Sequence, residues 1–411
     1  MNRICVFLPL LFSAFCLCIS KTVDKKVILI SFDGFRWDYY KAFNTPNLDY
    51  IANTGVHAPN GVQAIFTTKT FPNHYSIATG LYEESHGIVD NNMYDPVFNE
   101  FFQMKKPDPK WWGGEPIWVT ARKQGLKSGV YFWPASDIPI KDTFPNIYFK
   151  YNNTVSMETR IETAVSWLAN DEADVALIYF NEPDRTGHRK GAMSDAVGKM
   201  VETVDKVVGL LLEKLLETFL LDRVNLIIMS DHGMVNLTEV VVLENYLRVK
   251  EDIKWMPMSG PVAGILPNEG KLDTVYNKLK NAHPNMTVYK KEDIPERWHY
   301  KNNRRIMPIV AVADPGYLVA KEFGTDNAFG QHGYDNSLLS MRPIFFARGP
   351  AFKKNYQTDV FETVNIYPLI CHLLGIKPAP NNGSLDSVIH LLKDSAKGKL
   401  LYKTPLLNRL S

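Results

Sequence analysis

The sequence is poor in cysteine, with only four in 411 residues. Three of them, Cys5, Cys16 and Cys18, lie within the first twenty residues, so a chain that loses this segment keeps only Cys371. A single thiol cannot form an internal disulfide, which excludes the class of small secreted domains stabilised by disulfides. Because 45% of the residues are hydrophobic, we expect stability to come from a large core instead.

The chain also lacks an excess of charge of either sign. Its 46 basic and 44 acidic side chains are mixed along the sequence and give a net charge of +2. We therefore expect no wrapping of nucleic acid, which depends on a dense positive surface. After residue 20 no run is long and apolar enough to span a bilayer, so we expect no transmembrane anchor in the mature chain. Separately, we expect a monomer.

The first twenty residues have the pattern of a secretory signal peptide. Arg3 precedes an apolar run from Ile4 to Ile19, and Cys18 and Ser20 suit positions −3 and −1 of a cleavage site. An uncleaved N-terminal anchor is the alternative, but the run is shorter than the roughly 20 residues that a spanning helix needs. We therefore predict a secreted, extracellular protein. Four N-x-S/T sequons agree with this route and are the predicted glycosylation sites: Asn152, Asn236, Asn285 and Asn382.

Three short apolar runs rich in β-branched residues predict buried parallel strands. They begin at Val27, Val175 and Val224. A helical pattern extends from about Ser194 to Leu220, between the second run and the third. This alternation predicts an α/β fold, a doubly wound and mostly parallel sheet with helices on both faces.

Residues 236–329 have a different pattern, in which short strand-like pieces are separated by proline, glycine and asparagine. We interpret this segment as a small α+β insertion that caps the edge of the sheet. It lies within one catalytic domain that is predicted to span residues 21–411. After the insertion we expect a strand over Ile344–Ala347 and a closing helix near Asn365–Leu374.

Candidate metal ligands follow each of the three predicted strands. Asp33 directly follows the first, Asn181-Glu-Pro-Asp184 follows the second, and Asp231-His232 follows the third. In open α/β sheets, ligands bind at the carboxyl ends of the strands, so these side chains are expected to meet at one edge. Mixed carboxylate and imidazole ligands favour zinc, and six of them suit two zinc ions. The full set is Asp33, Asp184, His188, Asp231, His232 and His332.

Thr70 is the candidate nucleophile. Pro72 is typical of the first turn of a helix, so the Thr70 hydroxyl is expected at the positive end of a helix dipole. That position alone cannot ionise a threonine, which needs a metal ion or a base. Without the neighbouring ligands, Thr70 would be interpreted only as an N-cap residue.

These residues lie in strings that resemble the ectonucleotide pyrophosphatase/phosphodiesterase family of the alkaline phosphatase superfamily. The strings are SFDGFRW from Ser31, TKTFPNHYS from Thr68, TGLYEESHGIV from Thr79, SDHGM from Ser230 and HGYDN from His332. They span nearly the whole chain after the leader. Residues 290–300 and 378–384 are most similar to the fourth and fifth vertebrate members.

The resemblance implies a specific division of the ligands between two zinc ions. Asp184, His188 and His332 would hold one ion. The other would be held by Asp33, Asp231, His232 and Thr70. Thr70 would then be the group that attacks phosphorus.

The resemblance also implies how the substrate binds. Asn91 and the Thr70 backbone N–H would donate to a non-bridging phosphate oxygen, while Phe71 and Tyr151 would stack on a nucleobase. Lys69, beside the nucleophile, is a further candidate for substrate binding. The implied reaction is hydrolysis of extracellular nucleotides or dinucleotides, such as ATP, NAD and diadenosine polyphosphates. It would yield nucleoside 5′-monophosphates through a covalent threonine intermediate.

The chain departs from the family in two respects. It lacks the cysteine pairs that usually follow the segment ending at Met234. The sequence also shows no counterpart of the C-terminal membrane anchor of the vertebrate relatives, so we expect either a secreted protein or a shortened form. Three alternative functions remain open at this point. They are a phosphomonoesterase, which needs additional cationic groups; a choline- or lysophospholipid-type phosphodiesterase of the same family, which needs an aromatic and acidic cage; and a non-catalytic secreted binding protein on this fold.

Overall fold

The computed structural model describes residues 25–102, 108–257, 259–324 and 328–397. The predicted signal peptide, residues 1–20, lies outside these ranges. Within them, the search for a helix with the length and apolar character needed to cross a membrane finds none. Cys371 is buried and has a free thiol.

An eight-stranded sheet forms the centre of the molecule. Only Phe345–Arg348 runs antiparallel to its neighbours among these eight strands. The three apolar runs of the sequence are the adjacent central strands, and every residue in them is buried. The predicted doubly wound, mostly parallel α/β sheet is therefore confirmed. From edge to edge the strands are Tyr356–Gln357, Val56–His57, Phe345–Arg348, Val224–Met229, Lys26–Phe32, Val175–Phe180, Ser128–Tyr131 and Ile147–Phe149.

Helices connect and flank these strands. The predicted long helix spans Asp195–Glu217, and the Ser194 side chain caps it by accepting a hydrogen bond from the Val197 N–H at 3.3 Å. It ends before the predicted Leu220 because Phe219 has a left-handed backbone, with φ of 58°. The helices outside the insertion are Tyr39–Ala42, Pro46–Thr54, Thr70–Thr79, Glu83–His86, Ile117–Lys123, Met157–Ala169, Asp184–Lys190, Asp195–Glu217, Ile366–Leu374 and Asp394–Lys397.

The C-terminal elements follow the sequence prediction within one residue. The predicted strand Ile344–Ala347 is Phe345–Arg348, and the predicted closing helix is Ile366–Leu374. This helix ends at Gly375, which takes a left-handed conformation with φ of 68°.

The segment between the third central strand and His332 builds a second, smaller sheet. Its antiparallel strands lie in the order Ile253–Trp255, Val262–Pro267, Ile309–Ala313, Met286–Lys290. Helices Val249–Asp252 and Leu272–Leu279 accompany it, as does a parallel pair, Glu239–Val242 and Tyr317–Ala320. These elements have their own apolar cluster, which includes Leu243 and Ile309. The exact domain boundaries, with the insertion at 236–329, stay a prediction.

A short antiparallel pair closes the insertion at its base. Val235–Asn236 pairs with Gly330–Gln331, so the chain leaves the sheet and returns to it at the same place. His332 directly follows this pair. The pairing therefore brings His332 back beside Asp231 and His232, although about a hundred residues separate them in sequence.

Asp205 joins two helices on one face of the sheet. It lies in the helix Asp195–Glu217, is 2% exposed, and accepts hydrogen bonds from the backbone N–H groups of Asn47 and Leu48 at 3.1 and 2.9 Å. These N–H groups belong to the first turn of the helix Pro46–Thr54, where they have no partner within their own helix. Asp205 thus caps this helix from outside.

We predict that Asp205→Ala lowers the free energy of unfolding by about 1–3 kcal/mol, because it leaves buried N–H donors without acceptors. Scanning calorimetry should show a lower melting temperature. Glu213→Ala, on the exposed side of the same helix, is the matched control and should change stability by less than about 0.5 kcal/mol. Equal melting temperatures for the two variants would contradict the capping role.

Candidate active site

Two loops at the carboxyl edge of the sheet are joined by backbone hydrogen bonds. The Asp33 N–H donates to the Phe180 carbonyl at 2.9 Å, and the Asp184 N–H donates to the Asp33 carbonyl at 2.9 Å. Gly34 lies at this crossing with φ of 66°, and a Cβ there would come within 2.8 Å of the Asp184 Cβ. Only glycine allows the two carboxylate-bearing loops to approach this closely.

The six candidate ligands meet in two groups of three, and the ligand atoms of each group lie within 4.8 Å of one another. The first group is Asp184, His188 and His332. The second is Asp33, Asp231 and His232. These are the same two sets that the family resemblance implied. Their role in metal binding stays a prediction, which the arrangement of their atoms supports.

Each of the three histidines is oriented by a backbone carbonyl. The Nδ1–H groups of His188, His232 and His332 donate to the carbonyls of Gly330, Gly233 and Thr68, at 2.8, 2.9 and 2.9 Å respectively. This pattern leaves the Nε2 of each of the three rings as the acceptor atom, and a metal ion binds a neutral nitrogen of this kind.

Each of the three aspartates has a buried oxygen without a hydrogen-bond partner of normal geometry: Asp33 Oδ1, Asp184 Oδ1 and Asp231 Oδ2. These oxygens lie 3.0–3.4 Å from the Nε2 atom of a histidine in the same group. Buried carboxylate oxygens normally have partners, because leaving them without one is costly. Oxygen and imidazole ligands in this arrangement fit zinc.

The electrostatics of the second group reflect its two buried carboxylates, Asp33 and Asp231, and the neighbouring carboxylate of Asp184. Burial raises the pKa of Asp33 well above its ordinary value, and the carboxylates of Asp231 and Asp184 raise it further. Burial would also raise the pKa of Asp231, but the imidazoles of His232 and His74 outweigh it and hold this pKa well below its ordinary value. A bound cation would relieve the repulsion among these carboxylates.

The imidazole of His332 is kept neutral. Burial lowers its pKa well below the ordinary value, and the neighbouring His232 and His188 lower it further. The rings of His232 and His332 stack with centroids 3.5 Å apart, so the two ligand groups are adjacent. A neutral imidazole is the form that binds a metal ion.

Thr70 is the first residue of the helix Thr70–Thr79, and its Oγ1 lies 3.3 Å from the His232 Nε2. The N-cap position belongs to Lys69, whose side chain makes no capping bond. The Thr70 hydroxyl therefore faces the second ligand group, and the alternative of a simple N-cap is not supported. The N-terminus of this helix also provides positive potential at the hydroxyl.

Neighbouring residues fix the loop that carries Thr70. The Thr68 hydroxyl donates to the Tyr334 carbonyl at 2.9 Å and accepts from the Gly333 N–H at 3.0 Å, which ties this loop to the His332 loop. His74, which is fully buried, donates from Nδ1 to the Thr70 carbonyl at 2.8 Å. Its Nε2 lies 2.8 Å from the Ser31 Oγ. Thus Thr70 and the His332 loop are held by the same short segment.

A cavity of about 670 Å³ opens above these residues. This volume is within the usual range for small-molecule sites, about 300–1,000 Å³. Asn91 lines it, and the Asn91 Oδ1 accepts a hydrogen bond from the Phe71 N–H at 2.9 Å, which leaves the amide N–H groups as donors. The aromatic side chains in its wall are Phe71, Trp112, Phe132, Trp133, Phe149, Tyr151 and Tyr179.

The positions of Lys69 and of the four sequon asparagines support their predicted roles less directly. The Lys69 ammonium forms a buried ion pair with Asp90 at 2.6 Å, so its role in substrate binding stays a prediction that the contact does not favour. The sequon residues Asn152, Asn236 and Asn382 are exposed, and Asn285 is half-buried with its amide nitrogen bonded to Asp314 at 3.2 Å. Glycosylation of all four stays a prediction.

Two residues that contact the candidate ligands, Thr68 and Tyr179, are not among the predicted site residues. Thr68 lies in one of the motif strings, and Tyr179 lies in the second of the predicted central strands. The Tyr179 hydroxyl donates to the Asp33 Oδ2 at 2.6 Å. A polar aromatic residue one position before the end of a predicted central strand was the available signal, since such a position lies near the ligand-binding edge.

Comparison with known proteins places this arrangement in a family. The sequence model of the type I phosphodiesterase/nucleotide pyrophosphatase family matches residues 27–335. The chain belongs to this family. The predicted class of enzyme, a phosphodiesterase/nucleotide pyrophosphatase, agrees with this membership.

Relatives in this phosphodiesterase family align with nearly the whole chain. Ectonucleotide pyrophosphatase/phosphodiesterase family member 5 of Homo sapiens is 45% identical over 377 residues, which is 90% of this chain and 79% of the relative. The bis(5′-adenosyl)-triphosphatase of Xenopus laevis, a family member 4, is 44% identical over 398 residues, 92% of this chain and 85% of the relative. These relatives confirm the resemblance to the fourth and fifth members.

A solved structure of a family member has the same fold. It is an inactive variant of murine family member 5, with a threonine-to-alanine substitution, in complex with AMP. Its TM-score to this structure is 0.87 at 45% sequence identity, and the match covers 90% of this chain and 100% of the other.

We predict that chelator-treated protein has a lower melting temperature and that zinc restores it, because a bound cation compensates the buried carboxylates and binds only the folded chain. Asp231→Asn should reduce this restoration. Asp252→Asn is the matched control, because Asp252 is also buried but pairs with Lys278 at 3.1 Å in the insertion. A zinc response that Asp231→Asn leaves intact would contradict the assignment of these ligands.

Proposed function

We propose that this chain is a secreted two-zinc phosphodiesterase and nucleotide pyrophosphatase. Its substrates are extracellular nucleotides or dinucleotides, such as ATP, NAD and diadenosine polyphosphates, and its products are nucleoside 5′-monophosphates. One observation carries the proposal: the Thr70 hydroxyl lies 3.3 Å from a predicted ligand histidine, beside two adjacent ligand groups and below a cavity with aromatic walls.

The residues of the chain suit two successive in-line displacements. In the first, the Thr70 hydroxyl loses its proton to solvent and its Oγ1 attacks phosphorus, so that a nucleotidyl-threonine phosphodiester forms as the bond from phosphorus to the leaving group breaks. In the second, water attacks the same phosphorus and releases the 5′-monophosphate with the regenerated hydroxyl. The amide N–H of Asn91 would donate to a non-bridging oxygen, and the bond from the Phe71 N–H to its Oδ1 supports this role because it fixes the orientation of the amide.

Two bound zinc ions would supply Lewis-acid charge that lowers the pKa of the attacking oxygen and stabilises the developing negative charge. Asp184, His188 and His332 would hold one ion, and Asp33, Asp231, His232 and Thr70 the other. The preorientation of the three histidines by backbone carbonyls means that little rearrangement is needed for binding.

The aromatic walls of the cavity support a nucleotide as the substrate. Phe71 directly follows the nucleophile, and Tyr151 lies in the wall with 52% of its surface exposed. Two such faces can stack on a nucleobase while the phosphate reaches Thr70. The names of relatives point the same way, since one is a bis(5′-adenosyl)-triphosphatase and a variant of another binds AMP.

A choline-type phosphodiesterase is the second candidate, because Asp137 lies among the aromatic residues of the cavity. Burial raises the pKa of this carboxyl, which weakens it as an anion for a quaternary ammonium group. A phosphomonoesterase is less well supported. Its dianionic substrate needs several cations. Lys150 is the one lysine in the described lining of the cavity, and the Lys69 ammonium is already paired with Asp90.

We predict that purified protein hydrolyses a dinucleoside polyphosphate or bis-p-nitrophenyl phosphate much faster than p-nitrophenyl phosphate. Thr70→Ala should abolish the activity, whereas Thr70→Ser should retain part of it because the hydroxyl is kept. Mass spectrometry of the products from ATP, NAD, diadenosine polyphosphates and glycerophosphocholine identifies the substrate class. Faster cleavage of the monoester, or full activity of Thr70→Ala, would disprove the proposal.

We predict that Tyr151→Ala and Phe71→Ala weaken nucleotide binding by about 1–3 kcal/mol each, the usual value of one stacking contact. Steady-state kinetics should show a higher KM for dinucleotides and a smaller change for bis-p-nitrophenyl phosphate, which has no nucleobase. Phe101→Ala, at an exposed aromatic residue that does not line the cavity, should leave both substrates unaffected. An equal loss with both substrates would argue against base stacking.

A further inference from the structure

Tyr179 reaches the candidate metal site from the neighbouring strand. It lies opposite Ser31 in the parallel pairing of Val175–Phe180 with Lys26–Phe32. Both side chains contact His74, Ser31 through a 2.8 Å bond and Tyr179 through its ring, whose centroid is 5.0 Å away. Side chains two residues apart in a strand share a face, so Asp33 continues on the face of Ser31. This register places the Tyr179 hydroxyl beside the Asp33 carboxylate.

The hydrogen bond between Tyr179 and Asp33 is short and shielded from water. The hydroxyl donates to Oδ2 at 2.6 Å, Asp33 is 1% exposed and Tyr179 is 9% exposed. A bond of this length to a carboxylate is among the stronger hydrogen bonds in proteins. It occupies Oδ2 and leaves Oδ1, which lies 3.4 Å from the His232 Nε2. The phenol therefore selects the oxygen that faces the other ligands.

The ring of Tyr179 has a separate set of neighbours. It forms part of the cavity wall, and its centroid lies 6.2 Å from that of Tyr151. The hydroxyl contacts a ligand, whereas the ring contacts the predicted base-binding wall. A substitution by phenylalanine removes the first contact and keeps the second.

We propose that Tyr179 is a positioning residue, whose hydroxyl holds Asp33 in the orientation that binds one of the two zinc ions. The inference rests on the proposed function, because it concerns the same metal site. Loss of the Tyr179 hydroxyl is expected to weaken zinc binding by the group of Asp33, Asp231 and His232. The group of Asp184, His188 and His332 keeps its own carbonyl-oriented histidines and is unaffected.

The test compares the full chain as wild type, Tyr179→Phe and Tyr367→Phe. Tyr367 is a matched control, because its buried hydroxyl also makes a short bond, 2.7 Å to the Thr120 Oγ1, with partners outside the site. Zinc affinities are measured by competition with a chromophoric chelator, and melting temperatures are recorded over a range of free zinc. Kinetics with a dinucleotide give kcat and KM separately.

We expect Tyr179→Phe to weaken one of the two zinc sites by about 10–100-fold, as is typical for the loss of a residue that orients a ligand. At limiting zinc kcat should fall while KM is unchanged, and excess zinc should restore stability and most of the activity. Tyr367→Phe should lower the melting temperature without changing either zinc affinity.

Several outcomes would overturn the inference. They are unchanged zinc affinities in Tyr179→Phe, equal weakening of both sites, equal weakening by Tyr367→Phe, or a Tyr179→Phe chain that stays unfolded at every zinc concentration. A wild-type chain that binds no zinc would instead contradict the proposed function itself. The two failures are therefore distinguishable.

Discussion

The close approach of three carboxylates, Asp33, Asp184 and Asp231, is the constraint on which the rest of the site depends. Each follows a central strand of one parallel sheet, so the fold itself forces the charges to one edge. Like charges in a buried place repel strongly, and the chain opposes this with imidazoles, backbone donors and a phenol. A bound cation would relieve the repulsion that remains among the three carboxylates.

The nucleophile depends on the same constraint through its loop. Thr68 contacts the His332 loop, His74 contacts the Thr70 carbonyl, and Thr70 begins a helix whose N-terminus faces the ligands. A threonine hydroxyl is a weak nucleophile, so its placement has chemical value only beside a group that can ionise it. The predicted ligands and Thr70 are thus held by one hydrogen-bonded network.

The sequence allowed prediction of those parts that depend on strand ends. Asp33, Asp184 and Asp231 could be placed together because apolar runs mark the strands, and the carboxyl ends of parallel strands share an edge. Tyr179 could not be assigned, because its contact depends on the register between two strands, which apolar runs do not encode. The pairing of Lys69 with Asp90 and the shape of the aromatic cavity also arise from loops that meet only in the folded chain.

The pairing of Val235–Asn236 with Gly330–Gln331 has a consequence for folding during synthesis on the ribosome. One ligand group is complete once residue 232 has been made, whereas the other waits for His332 at the far end of the insertion. Closing a loop of this length costs conformational entropy and slows the formation of the contacts that depend on its closure. The group of Asp184, His188 and His332 therefore cannot form until the insertion has been synthesised and its base has closed.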